Sequence, residues 1–376
     1  MSTGNATNAP PGILADQAIA ALFEDGGLRA ARALDDDQIQ PASLDLRLGP
    51  VAHRVRASFL PGHETSVAEK LARTTLHTFD LEGGAVLETG CVYLVPLMEE
   101  LALPADVEAS ANPKSSTGRL DIFTRVITDR AEQFDRVPAG YRGPLYLEIS
   151  PRTFPVLVRP GSRLSQIRFR RGDTLLDGTA LAALNETERL VASERPVVDA
   201  RGVAMSIDLM GDGAGGAGLV GYRGRRHTGV VDVDARGACR VQDFWEPVHA
   251  RRDGGASSIV LDPDEFYILV SREAVHVPPD YAAEMVPFDP LVGEFRVHYA
   301  GFFDPGFGHA GAGGAGSRAV LEVRSHEVPF ILEHGQTVGR LVYERMAARP
   351  QTLYGQIATS NYQAQGLKLS KHFRQD

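Results

Sequence analysis

Cysteine and tryptophan are scarce in this chain. Its 376 residues include two cysteines, Cys91 and Cys239, and a single tryptophan. Two cysteines cannot build a disulfide scaffold, and no signal peptide is visible, so we expect a reducing, cytoplasmic setting. No apolar run in the sequence is long enough to cross a bilayer. These absences argue against a disulfide-stapled secreted protein and against a helical membrane protein.

Several sequence motifs that indicate particular functions are also missing. There is no Cys-x-x-Cys pair with a His-x-Glu motif feeding it, and the 11 histidines are scattered, so we expect no zinc site. The sequence has no glycine fingerprint for dinucleotides and no Gly-x-Ser-x-Gly elbow. The net charge of −9 argues against a broad nucleic-acid surface. A local basic pocket for a small anion is still compatible with that charge.

What the chain does contain is a repeat. Leu103-Pro104-x-Asp106 recurs as Val277-Pro278-x-Asp280, and Tyr146–Ile149 recurs as Val320–Val323. The offset is the same in both cases, since 278 − 104 and 322 − 148 both equal 174. A constant register over this length indicates two copies of one domain joined end to end.

The fold class follows from short apolar or alternating runs that are bounded by many turn residues. The chain has 23 prolines and 39 glycines, which is typical of compact all-β folds with few short helices. We expect five segments: a disordered N-terminal tail (1–12), a first domain (13–205), a Gly-rich linker (206–218), a second domain (219–350) and a C-terminal lid (351–376).

The two copies differ at one chemically suggestive place. The first copy carries Lys114-Ser-Ser-Thr-Gly-Arg119, where hydroxyls and cations could cradle an oxyanion. At the same offset the second copy has Phe288-Asp289-Pro290 and no pair of serines. The other interpretation of the first segment is an ordinary polar turn, and the sequence leaves both open.

Both copies keep a glutamate inside an apolar strand pattern, Glu148 and Glu322. A carboxylate among leucines tends to be buried, and burial raises its pKa toward a value useful for general acid–base chemistry. The alternative is an edge-strand glutamate that faces water or pairs with an arginine. The pattern alone favours that alternative.

Taken in order, the motifs resemble those of the dCTP deaminase family, in its long, duplicated bacterial form within the dUTPase-like superfamily. The segments that carry the resemblance are Gln40–Gly49, Lys114–Arg119, Leu145–Glu148, Val297–Phe307 and Ser360–Gly366. The resemblance implies two tandem dUTPase-like distorted β-barrel (β-clip) domains. It also implies zinc-independent hydrolytic deamination of dCTP to dUTP and ammonia, which feeds dUMP and dTTP synthesis.

The same resemblance implies the partners and the site residues. Mg²⁺ would accompany the triphosphate, and the active site would lie at a subunit interface of a homo-oligomer, expected to be a homotrimer. The catalytic residues would be Glu148 as general base with Arg119 and Ser115, and Glu322 would be the alternative base. The substrate-binding residues would be Lys114, Ser115, Ser116, Arg119, Arg130, Asp135, Ala300, Asp304, Tyr362, Gln365 and Lys368.

Two arrangements of the site remain open. Each site could be built from first copies of neighbouring chains, with Glu148 as base, or the first copy's cradle could face the second copy's hairpin, with Glu322 as base. We favour the first, because Lys114–Glu148 keeps the most parts of the family site together. The alternatives in function are a dUTP diphosphatase or bifunctional enzyme, a non-catalytic nucleotide-binding regulatory protein, and a purely structural β protein.

Overall fold

The computed structural model describes residues 10–211, 218–253, 256–287, 295–297, 301–325, 327–356 and 360–374. Strands dominate throughout, which confirms the all-β expectation. The first half contains β1 (Gly12–Ile13), α1 (Asp16–Glu24), β2 (Leu28–Ala30), β3 (Ile39–Gln40), β4 (Ser43–Arg47), β5 (Val51–Val55), α2 (Val67–Thr74), β6 (Thr75–Asp80), β7 (Ala85–Leu87), β8 (Val92–Ala102), β9 (Val107–Pro113), α3 (Ser115–Gly118), β10 (Ile122–Thr128), β11 (Arg136–Val137), β12 (Arg142–Pro151), β13 (Val156–Val158) and β14 (Arg163–Arg171).

The second half begins with a helix and continues as strands. It contains α4 (Gly178–Glu188), β15 (Val191–Ala192), β16 (Val198–Asp199), β17 (Gly202–Ser206), β18 (Leu219–Gly224), β19 (Val231–Asp232), β20 (Cys239–Arg240), α5 (Val241–Phe244), β21 (Trp245–His249), β22 (Arg251–Asp253), β23 (Ala256–Leu261), β24 (Phe266–Val275), β25 (Tyr281–Pro287), β26 (Phe295–Val297), β27 (Phe302–Phe303), the 3₁₀ helix η1 (Ala310–Ala312), β28 (Ser317–Ser325), β29 (Phe330–Glu333), β30 (Thr337–Arg345) and β31 (Phe373–Arg374).

The sheets of the two halves correspond to each other. In the first half β12 lies between β8 and β10, and in the second half β28 lies between β24 and β26. Likewise β14 lies between β9 and β4, and β30 lies between β25 and β17. The glutamate-bearing strands β12 and β28 therefore occupy equivalent central positions.

The division between the halves falls earlier than the sequence analysis expected. Leu176, Leu181 and Val203 are buried in the core of the second half, and β17 pairs with β30 there. Asp177 accepts a hydrogen bond from the Ala180 amide and so starts α4. We therefore place the division near residue 175, because these elements bury their apolar faces in the second core.

The predicted linker at 206–218 consequently lies inside the second half, between β17 and β18, and its residues 212–217 are outside the described ranges. The predicted N-terminal tail also ends earlier than residue 12. Gly12 and Ile13 pair with β14, opposite Arg171 and Arg170. Residues 1–9 are outside the described ranges.

One hydrophobic core crosses the boundary between the halves. Phe154 of the first half packs edge-on against Trp245 of the second half, with ring centroids 5.2 Å apart, and Phe373 near the C-terminus lies 5.6 Å from the same indole. Strand β19 leaves the second half and pairs in parallel with β13 of the first half. Within the described residues, no helix is both long and apolar enough to span a membrane.

Candidate active site

A cavity of about 440 Å³ lies where the two halves meet the C-terminal segment, defined as residues 360–374. The first half lines it with residues of the cradle, which is defined as residues 114–119 and of which all but Thr117 reach the wall. The second half contributes residues of β27 and β28, and the C-terminal segment contributes Tyr362, Gln365 and Lys371. Because all three parts form its wall, neither half could build this cavity alone.

The cradle is a single helical turn, α3, that follows directly after β9. The amides of Thr117 and Gly118 donate to the carbonyl oxygen of Lys114 at 2.8 and 3.0 Å, which closes the turn. Lys114 forms an ion pair with Asp45 of β4. Ser115 and Ser116 line the cavity beside that pair. Hydroxyls and a cation are thus presented on one short, rigid turn.

Arg119 ends the cradle and is held by the C-terminal segment. Its Nη1 donates to the carbonyl oxygen of Lys368 at 2.9 Å, and its Nη2 donates to Gln365 Oε1 at 3.0 Å. The guanidinium also stacks on the ring of Tyr362, 3.8 Å from the ring centroid. Its Nε is buried and makes no hydrogen bond within the described chain. This buried N–H is therefore an unsatisfied donor next to the cavity wall.

Glu322 faces that free N–H from the second half. Glu322 is 4 % exposed on β28, and its Oε1 lies 3.8 Å from Arg119 Nε. Burial raises the pKa of Glu322 to about 7, and the positive charge of Arg119 opposes the rise. A carboxyl group with a pKa near neutrality can exchange a proton with a bound water at physiological pH.

The hairpin of the second half forms the apolar side of the cavity. Phe302, Phe303 and Phe307 line it together with Asp304. Arg168 of β14 crosses from the first half, donates to Asp304 Oδ1 at 3.0 Å, and stacks on Phe302 at 4.0 Å. Burial raises the pKa of Asp304, and the charge of Arg168 counters that effect. Arg168 of the first half thereby holds the hairpin of the second half in place.

Cations gather around the cradle end of the cavity. Lys114, Arg163, Arg236 and Lys371 line this region together with carboxylates of four aspartates, Asp35, Asp37, Asp45 and Asp234. Lys114 and Arg163 are already ion-paired with members of this set. The pKa of Lys371 is lowered by burial and by the nearby charges of Lys114 and Arg236. The carboxylates of Asp45 and Asp234 oppose that lowering. Because the cations repel one another, an anionic ligand placed among them would be favourable. The cavity thus combines an apolar side, a cradle end of mixed charge and a buried carboxyl group.

Two family models together match almost the whole chain. The N-terminal domain of 2'-deoxycytidine 5'-triphosphate deaminase matches residues 10–173, and the C-terminal domain of the same enzyme matches residues 177–373. The chain belongs to the dCTP deaminase family. It is an enzyme of that family, and the unmatched residues between the two models coincide with our division of the chain.

Individual relatives agree with the family models. A crystal structure of 2'-deoxycytidine 5'-triphosphate deaminase from Agrobacterium tumefaciens is 70 % identical, with a TM-score of 0.87 over 92 % of this chain and 98 % of that chain. The dCTP deaminase of Haloarcula marismortui is 35 % identical over 173 residues, which are 44 % of this chain and 83 % of the relative. A Methanobrevibacter smithii protein named dCTP deaminase, dUMP-forming, is 31 % identical over 163 residues, 42 % of this chain and 79 % of the relative.

The glutamate that sequence reasoning preferred does not line this cavity. Glu148 is buried on β12, where its Oε1 accepts from Nε of Arg125 at 2.9 Å and from Nη2 at 2.5 Å. The ion pair between Glu148 and Arg125 lies within the first half, away from the cradle residues that line the cavity. Within one chain the geometry brings the first-half cradle to Glu322, which is the arrangement that the sequence analysis ranked second.

Other expected substrate contacts also lie elsewhere. Arg130 is exposed beside a separate cavity of about 830 Å³. Asp135 accepts from the Val126 amide at 2.7 Å and is enclosed in the first half, where burial raises its pKa to about 7. The Lys368 backbone carbonyl binds Arg119, while its ammonium donates to the Asn361 carbonyl and lies 5.7 Å from the ring centroid of Tyr362, outside the cavity wall itself. Ala300 lies outside the described residues.

The remaining expected residues do meet at the cavity: Lys114, Ser115, Ser116, Arg119, Asp304, Tyr362 and Gln365. Sequence reasoning missed Arg163, Arg236 and Arg168, which have no counterpart in a motif. Asp45 was inside a recognised segment but received no role. The repeat could have suggested that β14, which carries Arg163 and Arg168, packs beside the cradle strand β9.

Proposed function

We propose that the composite cavity hydrolyses the exocyclic amine of dCTP, giving dUTP and ammonia without zinc, with Glu322 as the general base. The observation that carries the proposal is the pairing of a buried, near-neutral carboxyl group with the free Nε–H of Arg119. The cations at the cradle end of the cavity support a triphosphate that carries Mg²⁺ to the neighbouring carboxylates, and the aromatic hairpin supports a nucleoside.

The proposed mechanism places a water beside Glu322 and Arg119, to one side of the line that joins them. Their 3.8 Å separation is too long for a direct hydrogen bond, and polar groups at such distances are commonly bridged by water. Arg119 Nε would donate to that water while Glu322 accepts from it. The water would thus be held with one lone pair free to attack.

The proton sequence balances with one carboxylate. Glu322 takes a proton from the water while the water oxygen bonds to C4 of cytosine. Glu322 then passes that proton to N3 of the ring. The second proton of the former water then moves through Glu322 to the exocyclic amine, and the C4–N bond breaks. The products are a C4 carbonyl and ammonia, and Glu322 returns to its starting state.

The triphosphate would lie at the cradle end of the cavity. Lys114, Arg236 and Lys371 would neutralise its oxygens, and Ser115 and Ser116 would donate hydroxyl hydrogen bonds. Mg²⁺ carried by the phosphates would reduce their negative charge. Asp45 fits such an ion, because its buried Oδ1 has no hydrogen-bond partner within the described chain. Among the described residues, no three His, Cys, Asp or Glu side chains form a metal-binding cluster.

The decisive experiment compares two glutamates in one assay. Purified protein is incubated with dCTP and Mg²⁺, and ammonia and pyrophosphate are measured for the wild type, Glu322→Gln and Glu148→Gln. We expect Glu322→Gln to lose at least about 100-fold in ammonia release, since general base catalysis contributes on the order of 10²–10⁴. Glu148→Gln should keep most of its turnover. Loss confined to Glu148→Gln would instead place the site in the first copies of neighbouring chains.

The same assay separates the other functions. Pyrophosphate together with ammonia would identify a bifunctional enzyme, as the name of the Methanobrevibacter smithii relative suggests for that protein. Pyrophosphate from dUTP without ammonia from dCTP would indicate a diphosphatase. Thermal stabilisation by dCTP without any product would indicate a regulatory binder. Turnover that persists in a zinc-free preparation, verified by elemental analysis, is expected for the proposed mechanism.

We further propose a cytoplasmic homotrimer, on the strength of the superfamily resemblance and the nucleotide substrate. The expected solution mass is three times that of the chain, measured by light scattering on a sizing column. A monomer that retains full turnover would contradict this assembly, and it would leave the proposed composite site standing, because the residues that carry it all belong to one chain.

A further inference from the structure

A second ion pair accompanies Arg119 and Glu322, with the charges reversed. Two residues after Arg119, Asp121 forms an ion pair with Arg324, which lies two residues after Glu322. Both members are buried, with side chains 2 % and 7 % exposed. The first half therefore contributes Arg119 and Asp121, and the second half contributes their partners, Glu322 and Arg324.

Strand geometry explains why the two pairs lie side by side. Alternate residues of a strand point to the same face, so Glu322 and Arg324 of β28 both face the first half. Their neighbours Leu321 and Val323 are fully buried in the second core on the opposite face. A sideways or lengthwise shift of β28 relative to the cradle would move both pairs together.

Asp121 is fixed at its own end by the turn that closes the cradle. Its amide donates to the Gly118 carbonyl at 2.9 Å, and its carbonyl accepts from the Arg152 amide at 2.9 Å. The residue has a φ of 55°, a left-handed conformation that is uncommon for residues other than glycine. Thr153 donates to Asp121 Oδ2 at 2.6 Å. The carboxylate is thus presented to Arg324 by a constrained backbone and a hydroxyl.

Arg324 is anchored on the second-half side as well. Its Nη1 donates to the carbonyl oxygen of Asp264 within the second half, and its Nη2 also donates to Thr153 at 3.1 Å. The guanidinium therefore ties a second-half loop and β28 to the end of the cradle. Arg324 does not line the deaminase cavity, so this pair does not touch the substrate.

We propose that Asp121 and Arg324 form a positioning pair that sets the separation between Glu322 and Arg119, and with it the water-binding geometry. This inference rests on the proposed role of Glu322. The pair links the two halves and aligns β28 with the cradle before the substrate binds. Misplacement of a catalytic group by about 1 Å can cost on the order of 100-fold in rate.

The test is Arg324→Gln, with Arg324→Lys and Thr153→Val as milder variants. We expect Arg324→Gln to lower kcat about 10- to 100-fold, while KM for dCTP changes by less than about 3-fold because the phosphate and base contacts are intact. Arg119 is the charged side chain whose field lowers the pKa of Glu322. If Arg119 and Glu322 move apart, the pKa of Glu322 should rise further. The acidic limb of the plot of kcat/KM against pH should then move to higher pH. Arg324→Lys keeps one charged contact and should recover part of both effects.

Arg340→Gln is the matched control. Arg340 is also a buried arginine with an unpartnered Nε, and it pairs with Asp199 at 2.9 Å, within the second half and outside the cavity wall. It should lose thermal stability without a shift of the acidic limb. If Arg324→Gln does not fold, Thr153→Val must still shift the limb in the same direction.

The outcomes separate this inference from the proposed function. An Arg324→Gln enzyme with wild-type kcat and an unmoved limb, beside an inactive Glu322→Gln, would overturn the positioning role and leave the deamination proposal standing. Equal losses in Arg324→Gln and Arg340→Gln, with no recovery in Arg324→Lys, would show a merely structural contribution and would also overturn it. No ammonia from the wild type would remove the proposed function itself.

Discussion

Two glutamates with nearly identical sequence surroundings have opposite environments. Glu148 and Glu322 both sit on a central strand between apolar residues, and both are almost fully buried. Glu148 accepts two hydrogen bonds from Arg125. Glu322 has Arg119 beside it but beyond hydrogen-bonding distance, at 3.8 Å, and its pKa is raised to about 7. A carboxylate held by two charged hydrogen bonds has less reason to take up a proton, so this difference in partner is why we propose Glu322, and not Glu148, as the base.

This difference leads to an expectation about stability and pH. The pKa of Glu322 is about 7 in the folded chain and 4.5 as its ordinary value. Because the folded value is the higher one, stability is fully present below pH 4.5 and is lost as the pH rises through 7. Glu322→Gln cannot ionise, so at pH 8 it should be more stable than the wild type, by on the order of 3 kcal/mol.

Thermal unfolding at pH 5 and pH 8 measures this effect. The gain of Glu322→Gln should shrink at pH 5, where the wild-type carboxyl group is mostly protonated. Glu148→Gln is the control: it leaves the charge of Arg125 without its partner and should destabilise the protein at both pH values. A Glu322→Gln variant that is less stable than wild type at pH 8 would contradict the assigned environment.

At the scale of elements, the C-terminal segment decides the state of Arg119. Gln365 and the Lys368 carbonyl each bind one nitrogen of the guanidinium, and Ser370 donates to the Ser116 carbonyl at 2.8 Å. The segment thus fastens to the start and the end of the cradle at once. It lines the cavity and holds the guanidinium of Arg119 with Nε on the side of Glu322.

Gln365→Ala should therefore weaken catalysis without unfolding the protein. The variant removes the bond to Arg119 and a second bond, from Gln365 Nε2 to the Arg318 carbonyl at 3.1 Å. We expect kcat/KM for dCTP to fall at least about 10-fold, the cost of roughly 1.4 kcal/mol in the transition state. Steady-state kinetics on ammonia release measure the effect.

Lys368→Met is the companion variant for this segment. The Lys368 ammonium contacts only the Asn361 carbonyl among the hydrogen bonds of the described chain, and the backbone carbonyl that Arg119 uses is unchanged. Turnover should stay within about 2-fold of wild type, as for most surface substitutions. A large loss in Lys368→Met would show that its side chain reaches the triphosphate, as the family resemblance first suggested.

At the scale of the whole molecule, the two halves share one core. Trp245, the single tryptophan of the chain, lies 1 % exposed among rings from both halves and the C-terminal segment. Strand β19 of the second half extends a sheet of the first half. Because apolar surface from each half is buried against the other, the halves should unfold together.

A single cooperative transition is the expected result. Calorimetry and Trp245 fluorescence should report the same midpoint, since the indole sits at the junction. Phe154→Ala empties the position opposite that ring and should cost about 3–5 kcal/mol. Ile331→Ala, at a side chain that is 62 % exposed, should cost little. Two resolved transitions would show that the halves are independent domains.

The sequence by itself determined the features that depend on local pattern. Alternating apolar runs and frequent turn residues indicated the all-β class, and the constant offset revealed the duplication. The order of short motifs identified the family and located the cradle at Lys114–Arg119. These features are encoded in neighbouring residues, so no long-range contact is needed to recognise them.

Tertiary structure alone decided which glutamate faces the cradle. Glu322 and Arg119 are separated by more than half of the chain, and the same strand pattern surrounds Glu148. Desolvation and ion pairing depend on what packs against a side chain, and a period of two along a strand records only which face that side chain occupies. Contacts between the two halves also decided three other features. These are the division near residue 175, the ion pair of Asp121 and Arg324, and the position of Arg168 against the hairpin.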